Sequence, residues 1–191
     1  MIDLIAIENH LPALQVVIPL LLAPVAILVS LPFLSWLVAL FGSLFCLYAS
    51  VSLFFQVSEF GKINYFMGGW LPPYGIEYVI DDASSFMIVL ISLMGVFATI
   101  FAYQSLKKEI NKKSQSKVYG MWLLALGGLL GLVTTGDAFN LFVFLEISSL
   151  SSVTLVALGS KKDKRALTAA FNYLLIGAVG GLIVVFGTKL L

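Results

Sequence analysis

Glu146 is the only carboxylate within the apolar run Ala138–Leu158, AFNLFVFLEISSLSSVTLVAL. An ionised carboxylate surrounded by hydrocarbon is costly unless a cation pairs with it or water reaches it. No positive charge lies close to it in sequence. The acid is therefore neutral, partnered from another helix, or hydrated, and each of these states suits the handling of protons or cations. A carboxylate that alternates between a neutral setting and a cation-paired one takes up and releases a proton. The bland alternative is a structural ion pair or a permanently neutral, hydrogen-bonded acid.

A helical turn further on come Ser148, Ser149, Ser151 and Ser152, with Thr154 close behind. Such hydroxyls bond to their own backbone carbonyls, bond across helices, or line a thin column of water. With Glu146 they outline a candidate proton path, to which Asn172 in the next apolar stretch is the remaining polar addition. Other polar groups have simpler roles. Asp137 stands where a helix N-cap is needed, and Asp81 or Asp82 stands at another such place.

No cofactor or metal is called for. His10 is the sole histidine and Cys46 the sole cysteine, the latter within an apolar run, so a haem pair, a histidine-rich metal site and a disulfide framework are all excluded. Phosphate-binding glycine motifs and nucleophile elbows are absent as well. Nothing in the chain calls for bond chemistry of its own.

The elements that must position Glu146 are membrane spans. Sixty per cent of the 191 residues are apolar and 11% are charged, against about 25% charged in ordinary soluble domains. Six stretches have the roughly 20 predominantly apolar residues that a spanning helix needs. They cover residues 11–31, 33–56, 84–106, 118–135, 138–158 and 167–188. The expectation is an all-α, polytopic membrane protein forming a single transmembrane domain over residues 1–191. Counting from Ala138 places Glu146 roughly 12 Å along its helix, near mid-membrane. Glycines 120, 127, 128 and 131 in the fourth span call for close contact with a neighbouring helix. Pro19 and Pro24 call for a kink in the first span, which follows Asp3 and Glu8 and has no basic leader.

Charge placement orients the chain. The loop 107–117 holds five lysines against Glu109, and the loop 159–166 holds Lys161, Lys162, Lys164 and Arg165 against Asp163. The loop 57–83 instead holds Glu59, Glu77, Asp81 and Asp82 against Lys62. Basic loops face the cytoplasm, so the N-terminus and the loop 57–83 are expected outside, in a multi-pass protein of the cell's inner (plasma) membrane. That outer loop, with Trp70, Tyr74 and Tyr78 among Gly-Gly, Pro-Pro and Tyr-Gly turn signals, reads as a compact cap with interface anchors. Short basic loops held against lipid do not suit nucleic acid.

Three stretches in order resemble a known family. They are TGDAFNLFVFLEISSL at residues 135–150, GGWLPPYGI at 68–76 followed by Asp81, and Arg165-Ala166-Leu167 followed by NYLLIG at 172–177. All resemble the proton-conducting antiporter-like subunits shared by respiratory complex I, membrane-bound hydrogenases and multisubunit sodium/proton antiporters. The resemblance implies that Glu146 is the key acid of a proton pathway, usually paired with a lysine on a seventh helix. It also implies other integral membrane subunits as partners, protons and in some members Na+ as the ions moved, and lipid as the surroundings. This sequence stops at Leu191 as the sixth helix ends, so it is expected to be a fragment, a truncated gene product, or a split subunit whose later helices come from another chain. Two alternatives to a proton-translocating subunit stay open: a non-transporting scaffold or assembly subunit, and a small oligomeric ion carrier. Whether the larger unit is a quinone oxidoreductase or a cation/proton antiporter is also open.

Overall fold

The structure is a computed structural model describing residues 8–72, 74–159 and 164–190, with the side chains of residues 113 and 188–190 left aside. Lys161, Lys162 and Asp163 of the second basic loop, and Pro73, lie outside the described residues. Among the described residues, six helices are long and apolar enough to cross a membrane. They are α1 (Leu11–Leu28), α2 (Pro32–Phe60), α3 (Asp82–Glu109), α4 (Lys112–Thr134), α5 (Ala138–Leu158) and α6 (Arg165–Leu190). Between α2 and α3 lie two short strands, β1 (Ile63–Phe66) and β2 (Glu77–Ile80). The chain is thus a six-span, essentially all-α membrane protein with one small sheet at one end.

Helix α4 sits at the centre and packs against α1, α2, α3 and α5, while α6 touches mainly α5. Its glycines allow this. A methyl group on Gly127 would lie 3.0 Å from Leu20, and one on Gly128 would lie 2.8 Å from the Ser148 backbone nitrogen. The helix starts six residues before its apolar run, so Lys112 and Lys117 ride on its first turns. Lysine is a good helix former in water, and a hydrated turn can extend beyond the hydrocarbon.

Helix α1 runs unbroken through Pro19 and Pro24. A proline removes one backbone donor and so frees the carbonyl four residues earlier. For Pro19 that carbonyl belongs to Gln15, and the Cys46 thiol donates to it at 3.4 Å. Cys46 is fully buried, and through this hydrogen bond it does more than fill space. The Ser35 hydroxyl likewise donates to the Ala26 carbonyl near the end of α1, at 2.7 Å. Across the bundle, Thr99 joins three helices. Its carbonyl accepts from the Trp36 indole at 3.0 Å, and its hydroxyl accepts from the Trp122 indole at 2.9 Å.

The connection between α2 and α3 forms an antiparallel hairpin, with Ile63 opposite Ile80 and Tyr65 opposite Tyr78. The positive φ values of Gly68 and Gly69, 64° and 77°, make the turn beyond β1. Tyr78 and Ile80 point into the core, and Tyr78 forms a β-bridge to Thr135 in the α4–α5 link. The Gly136 amide also donates to the Glu77 carbonyl at 2.8 Å. Sheet and helix junction are therefore one hydrogen-bonded unit.

Candidate functional site

Helix α5 begins at a well-made cap. Asp137 accepts from the Phe139 and Asn140 amides at 3.4 and 3.0 Å, in line with the capping role read from sequence. Asn140 is buried and donates to the Thr135 hydroxyl at 3.1 Å. Next to it Tyr78 lies with its ring 6.3 Å from that of Phe144. Burial raises the affinity of the Tyr78 phenol for its proton, an effect partly offset by a hydrogen bond with Asn140. The hairpin thus closes the α5 face that carries Asn140 and Phe144.

Glu146 lies on a different face. At 100° per residue, Phe142, Glu146, Ser149 and Val153 share one side of α5, whereas Asn140, Phe144, Ser148 and Ser151 share nearly the opposite one. The contacts agree. Ser148 and Phe144 meet Gly128 and Gly131 of α4. Glu146 and Ser149 instead meet α6: a methyl group on Gly181 would lie 2.7 Å from Glu146 Oε1, and one on Gly177 would lie 2.8 Å from Ser149 Oγ. Two glycines one turn apart on α6 thus form a trough for a carboxylate and a hydroxyl one turn apart on α5. Glu146 is half-buried there, and among the described residues no cation forms an ion pair with it.

The other hydroxyls are placed differently. Ser148 donates to the Leu145 carbonyl at 3.0 Å, Ser151 to Ile147 at 2.6 Å, and Ser152 to Ser148 at 2.8 Å. Each satisfies its own helix. Asn172 is exposed on α6, away from the Ala170, Leu174, Gly177 and Gly181 side that faces α5. Beyond Ser149 the α5–α6 interface opens into a cavity of ≈ 460 Å³ lined by Val153, Ala157, Leu167, Thr168, Ala170, Phe171 and Leu174, which is apolar apart from Thr168. Of the candidate residues, the structure brings together Glu146 and Ser149. Gly177 and Gly181 are the site residues that sequence reasoning did not single out as such. Their four-residue spacing was the available signal, and on its own it indicates only close packing.

This arrangement defines a class: a polytopic helical membrane protein with a carboxylic acid held at mid-span between two helices. No protein-family model matches the chain. Individual relatives do. Over 181 residues it is 38% identical to the N-type subunit of NADH-quinone oxidoreductase from Desulforudis audaxviator, a match covering 93% of this chain and 35% of that protein. Over 180 residues it is 29% identical to the D-type subunit of the Na+/H+ antiporter from Alkalihalophilus pseudofirmus, covering 94% and 36%. Among solved structures it resembles a chain of the Mrp complex from Dietzia sp. DQ12-45-1b, with a TM-score of 0.84, 27% identity, and coverage of 96% of this chain and 34% of that one. A chain of the archaeal membrane-bound sulfane sulfur reductase is similar at a TM-score of 0.80 and 29% identity, covering 90% of this chain and 35% of that one. The chain spans about a third of the length of the curated relatives it matches. Over that third, it belongs to the family of antiporter-like membrane subunits found in respiratory and Mrp-type complexes.

Proposed function

We propose that this chain is part of a proton-translocating, antiporter-like subunit and supplies the membrane-embedded acid of its proton pathway. The observation that carries the reading is Glu146: a carboxylate at mid-span, seated in a glycine trough, and half-buried rather than sealed in the core. Ser149 is the first hydroxyl beyond it. Ser148, Ser151 and Ser152 would join a hydrated path by releasing the carbonyls they now hold, and Asn172 would join once its exposed side is covered.

The unit is larger than these six helices. Only 11% of the α5 span and 11% of the α6 span is buried, against 33–56% of the other four. An exposed asparagine and a half-buried glutamate on lightly covered helices favour further integral membrane segments beside them, including a cation for Glu146. The similar proteins named above are subunits of NADH-quinone oxidoreductase and Na+/H+ antiporter assemblies. In this proposal the driving reaction, quinone chemistry or exchange against Na+, lies outside this chain. The N-terminus and hairpin face outward and the basic ends of α3 and α4 face the cytoplasm, in the plasma membrane.

The test is proton flux in sealed vesicles containing the assembled complex. Glu146→Gln, nearly isosteric but without an ionisable group, should abolish flux, and Glu146→Asp should retain a fraction of it. Full flux in Glu146→Gln would assign the chain a scaffold role instead. An infrared carboxyl band that vanishes in Glu146→Gln and changes during turnover would mark the acid as a working proton site.

A further inference from the structure

A cavity of ≈ 710 Å³ lies at the basic end of the bundle, where α2 begins, α3 ends and α4 begins. Its two halves differ in chemistry. One half is apolar and is formed by Pro32, Phe33, Ile110 and the ring of Tyr103. Behind it Trp36 packs on Tyr103 with ring centroids 4.5 Å apart, and Phe33 meets the same tyrosine edge-on at 6.4 Å. The other half is polar and carries Lys107, Asn111 and Lys112. The Lys107 ammonium stands 3.6 Å from the Tyr103 ring centroid, at the seam between the two halves. That contact leaves its charge unneutralised, since a ring face attracts a cation without cancelling it.

Among the described residues, no carboxylate lines the cavity. Glu109, the acid of this segment, is exposed and is not among the lining residues. The corner is also held in shape. Gln115, 3% exposed, donates to the Leu106 and Ile110 carbonyls at 3.1 and 2.9 Å, tying the end of α3 to the start of α4.

Lys107 lies in the last turn of a membrane span and Phe33 in the first turn of another, so the cavity straddles the boundary between hydrocarbon and water. A small soluble anion would use the lysines and leave the aromatic wall bare. A neutral lipid would use the wall and leave two cations unanswered. We propose that this cavity binds an anionic phospholipid, with its phosphodiester between Lys107 and Lys112 and its acyl chains along Phe33 and Tyr103. Basic pockets between spans at a membrane surface suit such headgroups.

Native mass spectrometry of the purified full chain tests this, with phosphatidylglycerol, phosphatidylcholine and inorganic phosphate as separate probes. Phosphatidylglycerol should be retained in preference to phosphatidylcholine. Lys107→Gln and Lys112→Gln should each lower its retention about fivefold and leave phosphatidylcholine unchanged. Lys117→Gln, an exposed lysine of the same segment that does not line the cavity, should leave both unchanged. Equal retention of the two lipids, an equal loss in Lys117→Gln, or displacement of phosphatidylglycerol by millimolar phosphate would overturn the proposal. If Lys107→Gln loses its helical circular dichroism, Lys112→Gln, an exposed side chain, decides alone.

Discussion

Glu146 Oε1 lies 2.7 Å from the point where a side chain on Gly181 would begin. The carboxylate occupies the volume that glycine leaves free, so its position depends on the absence of one methyl group on the facing helix.

Gly181→Ala should therefore displace the carboxylate. In the assembled complex we expect a clear fall in proton flux and a shifted pH profile. Gly180→Ala is the control, because a methyl group there meets nothing within 4 Å. Glycine-to-alanine in a helix interior is intrinsically favourable by about 1 kcal/mol, so Gly180→Ala should be neutral or mildly stabilising. Equal flux in the two variants would show that the trough does not set the position of the acid.

Thr99 should be among the costliest single substitutions outside the α5–α6 interface. Thr99→Val keeps its shape but leaves the Trp122 indole without its acceptor, at an expected cost of about 1–3 kcal/mol. Thr99→Ser restores the hydroxyl and should recover most of the loss. Thermal unfolding in detergent, followed by tryptophan fluorescence, reads both.

Cys46 should matter through its donor. Cys46→Ala leaves the Gln15 carbonyl, already freed by Pro19, without a partner and should cost about 0.6–1 kcal/mol. Cys46→Ser should cost less, because the hydroxyl can donate in the same place. Comparable losses in the two variants would point to packing volume instead.

Asp81 gives a pH-dependent cap. Its carboxylate accepts from the Ser84 amide at 2.8 Å while the Ser84 hydroxyl answers the Asp81 amide at 2.8 Å. The backbone and side-chain bonds from Ser84 hold the Asp81 pKa below its ordinary value, and Lys62 adds to the effect. A lowered folded-state pKa means that the stabilisation is complete above the unfolded value, about 4, and is lost as pH falls through the folded value. Asp81→Ala should cost about 1 kcal/mol at neutral pH. The gap between wild type and variant should close on acidification below about pH 4, in unfolding midpoints measured across that range.

The spans were legible because apolar length alone identifies them, and Glu146 was legible because a charge inside such a run has few bland explanations. The hairpin was not. Ile63–Phe66 and Glu77–Ile80 alternate over only four residues each, and the glycine and proline pairs between them dominate the local signal. The hydroxyl run misled in another way. Ser148, Ser149, Ser151 and Ser152 are close in sequence, yet helical rotation turns Ser149 towards α6 and Ser148 towards α4. Which helices would flank α5 could not be read from its own residues, so the division between the two faces had to come from packing.

The bridge between Tyr78 and Thr135 also sets the axial position of α5. The residues that lead into that helix are stitched to a sheet, by the bridge and by the Gly136 amide on the Glu77 carbonyl. A rod pinned at one end keeps its register along its own axis. Glu146 lies further along the rod, so the pinned end fixes its height opposite Gly181 of α6. The hairpin then acts as an end stop for the acid, from a distance.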